Sequence, residues 1–554
     1  MSDLPHATLS AARRLFAHPL VAPFLPVLIV AAIVLIVGGR ASPFQYDGDE
    51  GLNVMRPALM ARGYALYKDI WNDGSPLLPN LLRGWFAVTG QSVTAARLFV
   101  LGWSLSLVWA LFRLVERHQS RAHAWVTVAL LATTVNYLRL SYSVMVAVPT
   151  MALAVLALEA LVSGRRAGSW LRMGLSAVLF AASLLAKPIT VPMLGAFALV
   201  LALQAFGPVA ASTPAAAPRR SFARAAARGV AWVAVMAASL VLGAAAFGVS
   251  LRQTILTHAD GRRAAAAQVL LPNERRVFAH RQTMALHLSR EPLLVAAAAL
   301  SIPVLIRRRR DPDAWLPLAW AVPALLASAL MRPTFYHHAL LWTIPLAWIG
   351  STGVIELTSA AAGAFRQWHD AGLRSLAAAK RLWAVVVVLA AVAVAGGFWM
   401  AGSGASSKLR RPPGHRKNAA MLAAVRDAPT GATGDDWVYA DHPMFAFRAN
   451  ALIPPSLAVP SAKRRSIGQL SDDFILTQIQ KYRPARLVLT RFTYGQPFMS
   501  TVARDYRLTY KNPLGELHVR ADLLPPTTAP TPAEASPSTA DEAAPPPDVQ
   551  PDEE

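Results

Sequence analysis

The sequence has no cysteine, which excludes disulfides, thiolate metal sites and a cysteine nucleophile and leaves the redox compartment undetermined. Charge is scarce too, with 15% of the 554 residues charged against 54% hydrophobic. A soluble chain of this size carries about 25% charged residues, so the composition points to a polytopic α-helical membrane protein. Acids are the scarcer sign, 31 against 54 Lys and Arg, giving a formal net charge of +23. The excess does not read as a nucleic-acid surface, because the arginines cluster in short connections between apolar runs, where a membrane accounts for them. No internal repeat is visible, and no cleavable signal peptide is expected. The apolar run Leu20 to Gly39 is long enough to span a bilayer, and Arg13, Arg14 and His18 before it favour a retained first helix with a cytoplasmic N-terminus.

Further spans are expected at 94–115, 124–139, 143–162, 170–186, 188–206, 229–250, 292–306, 314–331, 338–357 and 383–401, making about eleven. With the N-terminus cytoplasmic, the alternate connections carry Arg117 and Arg121, Arg165 and Arg166, Arg219 to Arg228, Arg307 to Arg310, and Arg366 to Arg381. All are basic, as the positive-inside bias requires. The segments 40–93, 251–291 and everything after residue 402 then lie outside.

The outer segment 40–93 opens with Tyr46-Asp47-Gly48-Asp49-Glu50-Gly51, three carboxylates within four residues. Carboxylates beside hydrocarbon are disfavoured unless solvated, paired or used; a loop of turn formers is the simpler alternative. Gly51 to Arg62 and Pro76 to Val88 are expected as external interfacial helices, and between them lies a second acidic turn, Trp71-Asn72-Asp73-Gly74-Ser75-Pro76. The loop 251–291 is rich in arginine and either lies on anionic headgroups or binds an anionic substrate or acceptor. Three domains are expected: a transmembrane unit over 1–402, a small extracytoplasmic α/β domain over 403–525, and a disordered Pro/Ala/acidic tail over 526–554. In the second, stretches around Trp437–Ala440, Arg486–Thr490 and Leu517–Arg520 read as strands, and Asp472 to Tyr482 reads as an amphipathic helix.

Taken in order, these stretches resemble the GT-C class of membrane glycosyltransferases, families 39 and 83, which include protein O-mannosyltransferases and the lipid A aminoarabinose transferase. The carriers are the Asp49-Glu50 pair after the first span, the Tyr67 to Leu78 turn, Ala186-Lys187-Pro188 at a span end and Arg332-Pro333-Thr334-Phe335-Tyr336-His337-His338 opening a late span. In the outer domain Ala449 to Leu457 and Ser466 to Leu470 resemble a segment of the bacterial members. The likeness extends over roughly residues 15–520, and the order of the motifs is more specific than any one of them. One departure stands out. Many relatives carry a carboxylate before the proline of Ser143-Val144-Met145-Val146-Ala147-Val148-Pro149, where this chain has Ala147 and Val148.

The resemblance implies a GT-C-like fold and an inverting transfer of a sugar from a polyprenyl-phosphate donor to an acceptor hydroxyl on a lipid, glycan or protein. It also implies a place in the bacterial inner membrane with the C-terminal domain periplasmic. One carboxylate can serve as general base, and cations can meet the charge of the departing phosphate. By position Asp49 is the candidate base, and Glu50 a partner that orients it or binds sugar hydroxyls. Asp47 is close enough to exchange roles with Asp49, and Asp73 is either a substrate contact or a helix cap. Lys187, Arg332, His337 and His338 either snorkel or bind substrate phosphate. No cofactor is expected. Some relatives use a divalent metal, but neighbouring histidines on a helix point about 100° apart, and the carboxylate missing near Ala147 weakens that case further. Two other readings remain open from sequence: a lipid-linked sugar transporter or flippase, and a silent acceptor-binding protein.

Overall fold

A computed structural model of the chain describes residues 23–39, 43–72, 74–206, 217–249, 284–330, 335–370, 415–431, 436–461, 464–465 and 468–525. The loop arginines between 250 and 283, the span at 383–401 and the tail from 526 lie outside the described residues.

The membrane portion is built from helices α1 (Leu25–Gly39), α4 (Val93–His118), α5 (Arg121–Ala132), α7 (Ala147–Ala167), α8 (Trp170–Ala186), α9 (Leu194–Phe206), α10 (Ala217–Ala246), α12 (Pro292–Leu300), α13 (Ile302–Arg307), α14 (Leu316–Leu330) and α15 (Leu340–Asp370). Helix α7 is apolar and buried on nearly every face, which makes it the centre of the bundle. Helix α10 instead exposes Val230, Val233, Val241 and Leu242, the pattern of a lipid-facing periphery. Where α12 meets α15 the backbones approach closely. A Cβ on Gly353 would lie 2.6 Å from Ser301 Oγ, which itself accepts from Gly353 N at 2.9 Å and donates to Ile349 O. Small residues at such crossings are how helices pack in lipid.

The expected spans are found where they fall on described residues, but fewer are single rods than the hydropathy suggests. Five helices among the described residues are long and apolar enough to cross a membrane: Val93–His118, Ala147–Ala167, Ala225–Ala246, Pro312–Leu330 and Leu340–Ala360. Others are shorter or broken. The span expected at 124–139 divides at Thr133 and Thr134, whose hydroxyls donate to Leu130 O and Leu131 O, before a short helix α6 (Val135–Leu140). The span at 292–306 breaks at Ser301 ahead of Pro303, and that at 188–206 begins as a 3-10 turn, Pro188–Met193. Averages over a window register the apolar residues and miss such breaks.

At one end of α4, Arg117 pairs with Glu159, Arg121 with Glu116 at 2.7 Å, and Arg165 with Asp313 at 3.3 Å. The basic connections thus gather at the end of the bundle opposite the acidic loop, which meets the first turn of α4. The segments expected as interfacial helices form α2 (Glu50–Ala61) and α3 (Leu77–Thr89); α2 is buried on most of its surface beneath the outer unit.

Over the acidic loop sits the outer unit. It contains helix α16 (His415–Asp427) and a four-stranded sheet of order β1-β2-β4-β3, from Val438–Ala440, Arg486–Leu489, Gly515–Arg520 and Tyr506–Asn512. Strands β1 and β2 are parallel and the other pairs antiparallel. Helix α18 (Asp472–Tyr482) has the bounds its periodicity predicts. Ser471 caps it by accepting from Phe474 N, and Ile475 and Ile479 are buried. Helix α17 (Pro443–Arg448) docks this unit on α2: a Cβ on Gly51 would fall 2.6 Å from Met444 N. No side chain fits there without backbone movement. Gly51→Ala is therefore expected to cost about 1–3 kcal/mol as an overpacked contact. It should lower the melting temperature in detergent and speed proteolysis within residues 415–525; an unchanged melt and cleavage rate would remove the close contact from the account.

Candidate functional site

The acidic loop is assembled from its buried end. Glu50 has no exposed surface and accepts four hydrogen bonds: Arg97 Nη2 at 2.9 Å, Arg97 Nε at 3.3 Å, Tyr46 N at 2.7 Å and Val144 N at 2.8 Å. A buried carboxylate is tolerated when paired and fully hydrogen-bonded in this way. Both oxygens are thereby used, so Glu50 is not available to sugar hydroxyls; of its two expected roles, the orienting one is compatible with this geometry. The segment that lacks the relatives' carboxylate supplies Val144 N to Glu50 and Val144 O to Asn53 Nδ2 at 2.8 Å, so here it serves as a backbone socket.

Two further arginines, which sequence reasoning did not single out, fix the loop. Arg97 also donates to Pro43 O at 3.3 Å and lies over the Tyr46 ring at 4.5 Å. Arg139, from α6 beyond the helix break, donates to Tyr46 O and covers the Tyr336 ring at 4.1 Å. Tyr336 in turn donates its hydroxyl to Asp47 Oδ2. Asp47 Oδ1 accepts from Asp49 N at 2.8 Å, an Asx turn that starts α2. Asp47 is therefore engaged through both oxygens.

Asp49 is different. Among the described residues no hydrogen bond to its carboxylate is formed and it does not cap α2. Its side chain is partly exposed. Burial, reinforced by the neighbouring Asp47 charge, pushes its pKa up to about 6, against the opposing pull of Arg491, Arg56 and Lys187. Of the expected phosphate contacts, Lys187 is the one whose charge acts on the candidate base. His337 and His338 are buried on the turn that carries Tyr336, their rings 4.4 Å apart and nearly perpendicular. Among the described residues no cluster of three metal-ligating side chains occurs. Asp73 and Arg332 lie outside the described residues.

The outer unit packs against the acidic loop. Arg448 donates to Phe44 O at 2.9 Å and Pro43 O at 3.0 Å, while Gln45 Nε2 meets His442 Nε2 at 2.7 Å. Burial first, and then the Arg491 charge, hold the His442 pKa down at about 4, so the ring is neutral and accepts from Gln45. Trp71 Nε1 donates to Gln469 at 2.8 Å, tying the second acidic turn to the same unit. Tyr336 lay within a stretch already marked by its histidines, and Arg97 was a charge in an apolar helix. Arg491 had no signal in its neighbourhood.

Removing one partner of the Glu50 pair leaves a buried, uncompensated charge, which typically costs about 3–5 kcal/mol. Arg97→Met should therefore lower stability sharply, and Arg97→Met combined with Glu50→Gln should recover some of the loss. Melting curves of the three proteins in detergent check this; equal melting temperatures for the wild type and Arg97→Met would rule it out.

A protein-family model described as dolichyl-phosphate-mannose-protein mannosyltransferase matches residues 73–216, roughly a quarter of the chain. No curated protein sequence matches. Among solved structures, ArnT from Cupriavidus metallidurans bound to undecaprenyl phosphate superposes with a TM-score of 0.57 at 12% identity, over 91% of this chain and 98% of that one. Its apo form gives 0.55 at 13% identity with the same coverage. The apo oligosaccharyltransferase of Archaeoglobus fulgidus gives 0.52 at 12%, over 84% of this chain and 69% of that one. At such identities the likeness is one of fold, and with the helical bundle, the acidic loop and the outer sheet it places this chain among the polytopic membrane proteins with the GT-C glycosyltransferase fold.

Proposed function

We infer that this protein is an inverting glycosyltransferase that moves a sugar from a polyprenyl-phosphate donor to an acceptor hydroxyl at the outer face of a bacterial inner membrane. The observation that carries the reading is Asp49: a carboxylate in a cleft, with its pKa raised to about 6 and three cations acting on it. A base poised near neutral pH is what proton abstraction from a hydroxyl calls for. The match to a structure that holds undecaprenyl phosphate supports the donor class. The N-terminus is cytoplasmic in this reading and residues 403–525 are periplasmic.

In the reaction the acceptor oxygen forms a bond to the anomeric carbon from the face opposite the phosphate. Its proton passes to Asp49, and the carbon–oxygen bond to phosphate breaks with its electron pair leaving on the phosphate. Because this is a single displacement, no sugar–enzyme bond forms and one base suffices. Lys187 and Arg56 stabilise the charge on the departing phosphate, which needs no proton to leave. Asp47 and Glu50 hold the backbone that presents Asp49. Nothing in the residues selects between hexosyl and pentosyl transfer. A transporter would place ionisable groups at mid-membrane in repeated halves, whereas these acids gather in an outer loop.

Two measurements test the reading. With purified protein, a panel of polyprenyl-phosphate sugars and membrane extract as acceptor, Asp49→Asn should reduce release of polyprenyl phosphate by about two to four orders of magnitude. Activity within threefold of the wild type would exclude Asp49 as the base. The pH profile gives an independent readout. A base protonated below about pH 6 makes kcat/KM fall as the pH drops through that value and level off above it. Lys187→Met removes a cation that favours the charged carboxylate, so its acid limb should move to higher pH; a limb that stays put would detach Lys187 from the base.

A further inference from the structure

The outer unit does more than cover the acidic loop. Its β1 strand ends at Asp441, a fully buried carboxylate that the reaction does not use. Asp441 accepts hydrogen bonds from Thr490 N at 2.8 Å, Arg491 N at 2.9 Å and Phe492 N at 3.0 Å. It also accepts from the Thr490 hydroxyl at 3.0 Å and the Tyr494 hydroxyl at 3.2 Å. Three successive backbone N–H groups converging on one carboxylate is the arrangement in which loops otherwise bind free anions. Here the anion is built in, and the loop after β2 is fixed. Arg465 adds a second restraint by donating to Thr493 O at 2.8 Å and Asp472 at 2.6 Å.

The residue so fixed is Arg491. Its neighbour across the clamp, His442, touches Gln45, two residues ahead of Asp47. This brings the loop beside the acidic segment, where the Arg491 charge acts on Asp49. The Arg491 side chain is exposed, bonded to Pro460 O at 3.3 Å and lying against Phe492. No carboxylate pairs with it among the described residues. An exposed guanidinium carried on a fixed backbone beside the acidic loop, without an acidic partner among the described residues, is suited to a planar oxyanion.

We propose that Arg491 is an oxyanion-binding residue of the cleft, contributed by the outer unit, and that Asp441 is the positioning residue that holds it in place. The oxyanion is a phosphate or carboxylate group, carried either by the polyprenyl-phosphate lipid or by the acceptor. The inference rests on the transferase reading for the acceptor but not for the lipid, whose binding can be measured without any transfer. The site is then shared between two units, with the base on the membrane portion and an anion clamp on the outer unit.

The test uses the full-length protein in nanodiscs, with undecaprenyl phosphate as probe. Arg491→Gln should weaken binding about ten- to a hundredfold, the range for a lost hydrogen bond to a charged group. Arg491→Lys should recover some of it. Because Arg491 is exposed, its variants should melt like the wild type. If lipid affinity is unchanged but the acceptor KM rises in the transfer assay, the oxyanion belongs to the acceptor. If neither changes beyond twofold, the proposal falls. Should the wild type show no transfer, lipid affinity alone decides, and an unchanged value overturns the proposal. A wild type that binds the lipid through Arg491 without transferring would sink only the transferase reading. For Asp441, Asp441→Asn should weaken binding in the wild-type background and add little to Arg491→Gln, the signature of coupled residues. Additive losses would show that Asp441 does not act through Arg491.

Discussion

The pair formed by Glu50 and Arg97 is the constraint on which the rest of the site depends. Neither side chain has appreciable exposure, and each is held by the backbone around it: Tyr46 N and Val144 N on the carboxylate, Pro43 O on the guanidinium. Four stretches distant in sequence thereby meet at one point. These are the acidic loop, the first turn of α4, the socket before α7 and, through Arg448 on the same Pro43 carbonyl, the outer unit. An ion pair in such a place contributes little net stability compared with an apolar replacement. What it supplies is a fixed path for the loop, so that Asp49, one residue before Glu50, has a single direction to face.

With that path set, the three acids take separate roles by environment. Glu50 is neutralised by Arg97, Asp47 is occupied by Tyr336 and the Asp49 amide, and Asp49 alone is left to hydrogen-bond outward. Burial and the nearby Asp47 charge raise its pKa, while cations from α2, the end of α8 and the outer unit restrain the rise. Those cations serve two purposes. They favour the ionised form of Asp49, and in the proposed reaction they present positive charge to the departing phosphate. Only a low-dielectric cleft lets the same few charges do both.

Much of this architecture was legible in the sequence because it is locally encoded. Helices α2 and α3 and the helix Asp472–Tyr482 follow from apolar spacing, and three of the four strands follow from short β-rich runs. Strand β3 was missed because, as a sheet edge, it is largely exposed and lacks a buried alternation. The interruptions at Thr133–Thr134 and at Ser301 were missed because the side chains that break them are few among many apolar ones. For the site, the cluster of acids and its position were readable, as was Lys187 at a span end. The division of labour among the acids was not, since it is decided by Arg97, Arg139 and Tyr336, which lie between about 50 and 290 residues away along the chain. Arg491 is further still and sits in a loop whose main organising residue, Asp441, looks like any other turn aspartate.

The contact between Gly51 and Met444 has a consequence for biosynthesis. The base, its Arg97 anchor and Lys187 all belong to the first two hundred residues, yet the wall of the cleft is made by residues between 441 and 494. A growing chain therefore exposes its carboxylates long before the cleft around them exists. Until the outer unit has packed onto α2, the Arg491 charge that acts on Asp49 is also missing. The packing around the acidic loop is thus completed only once the residues near the C-terminal end of the described structure have been made.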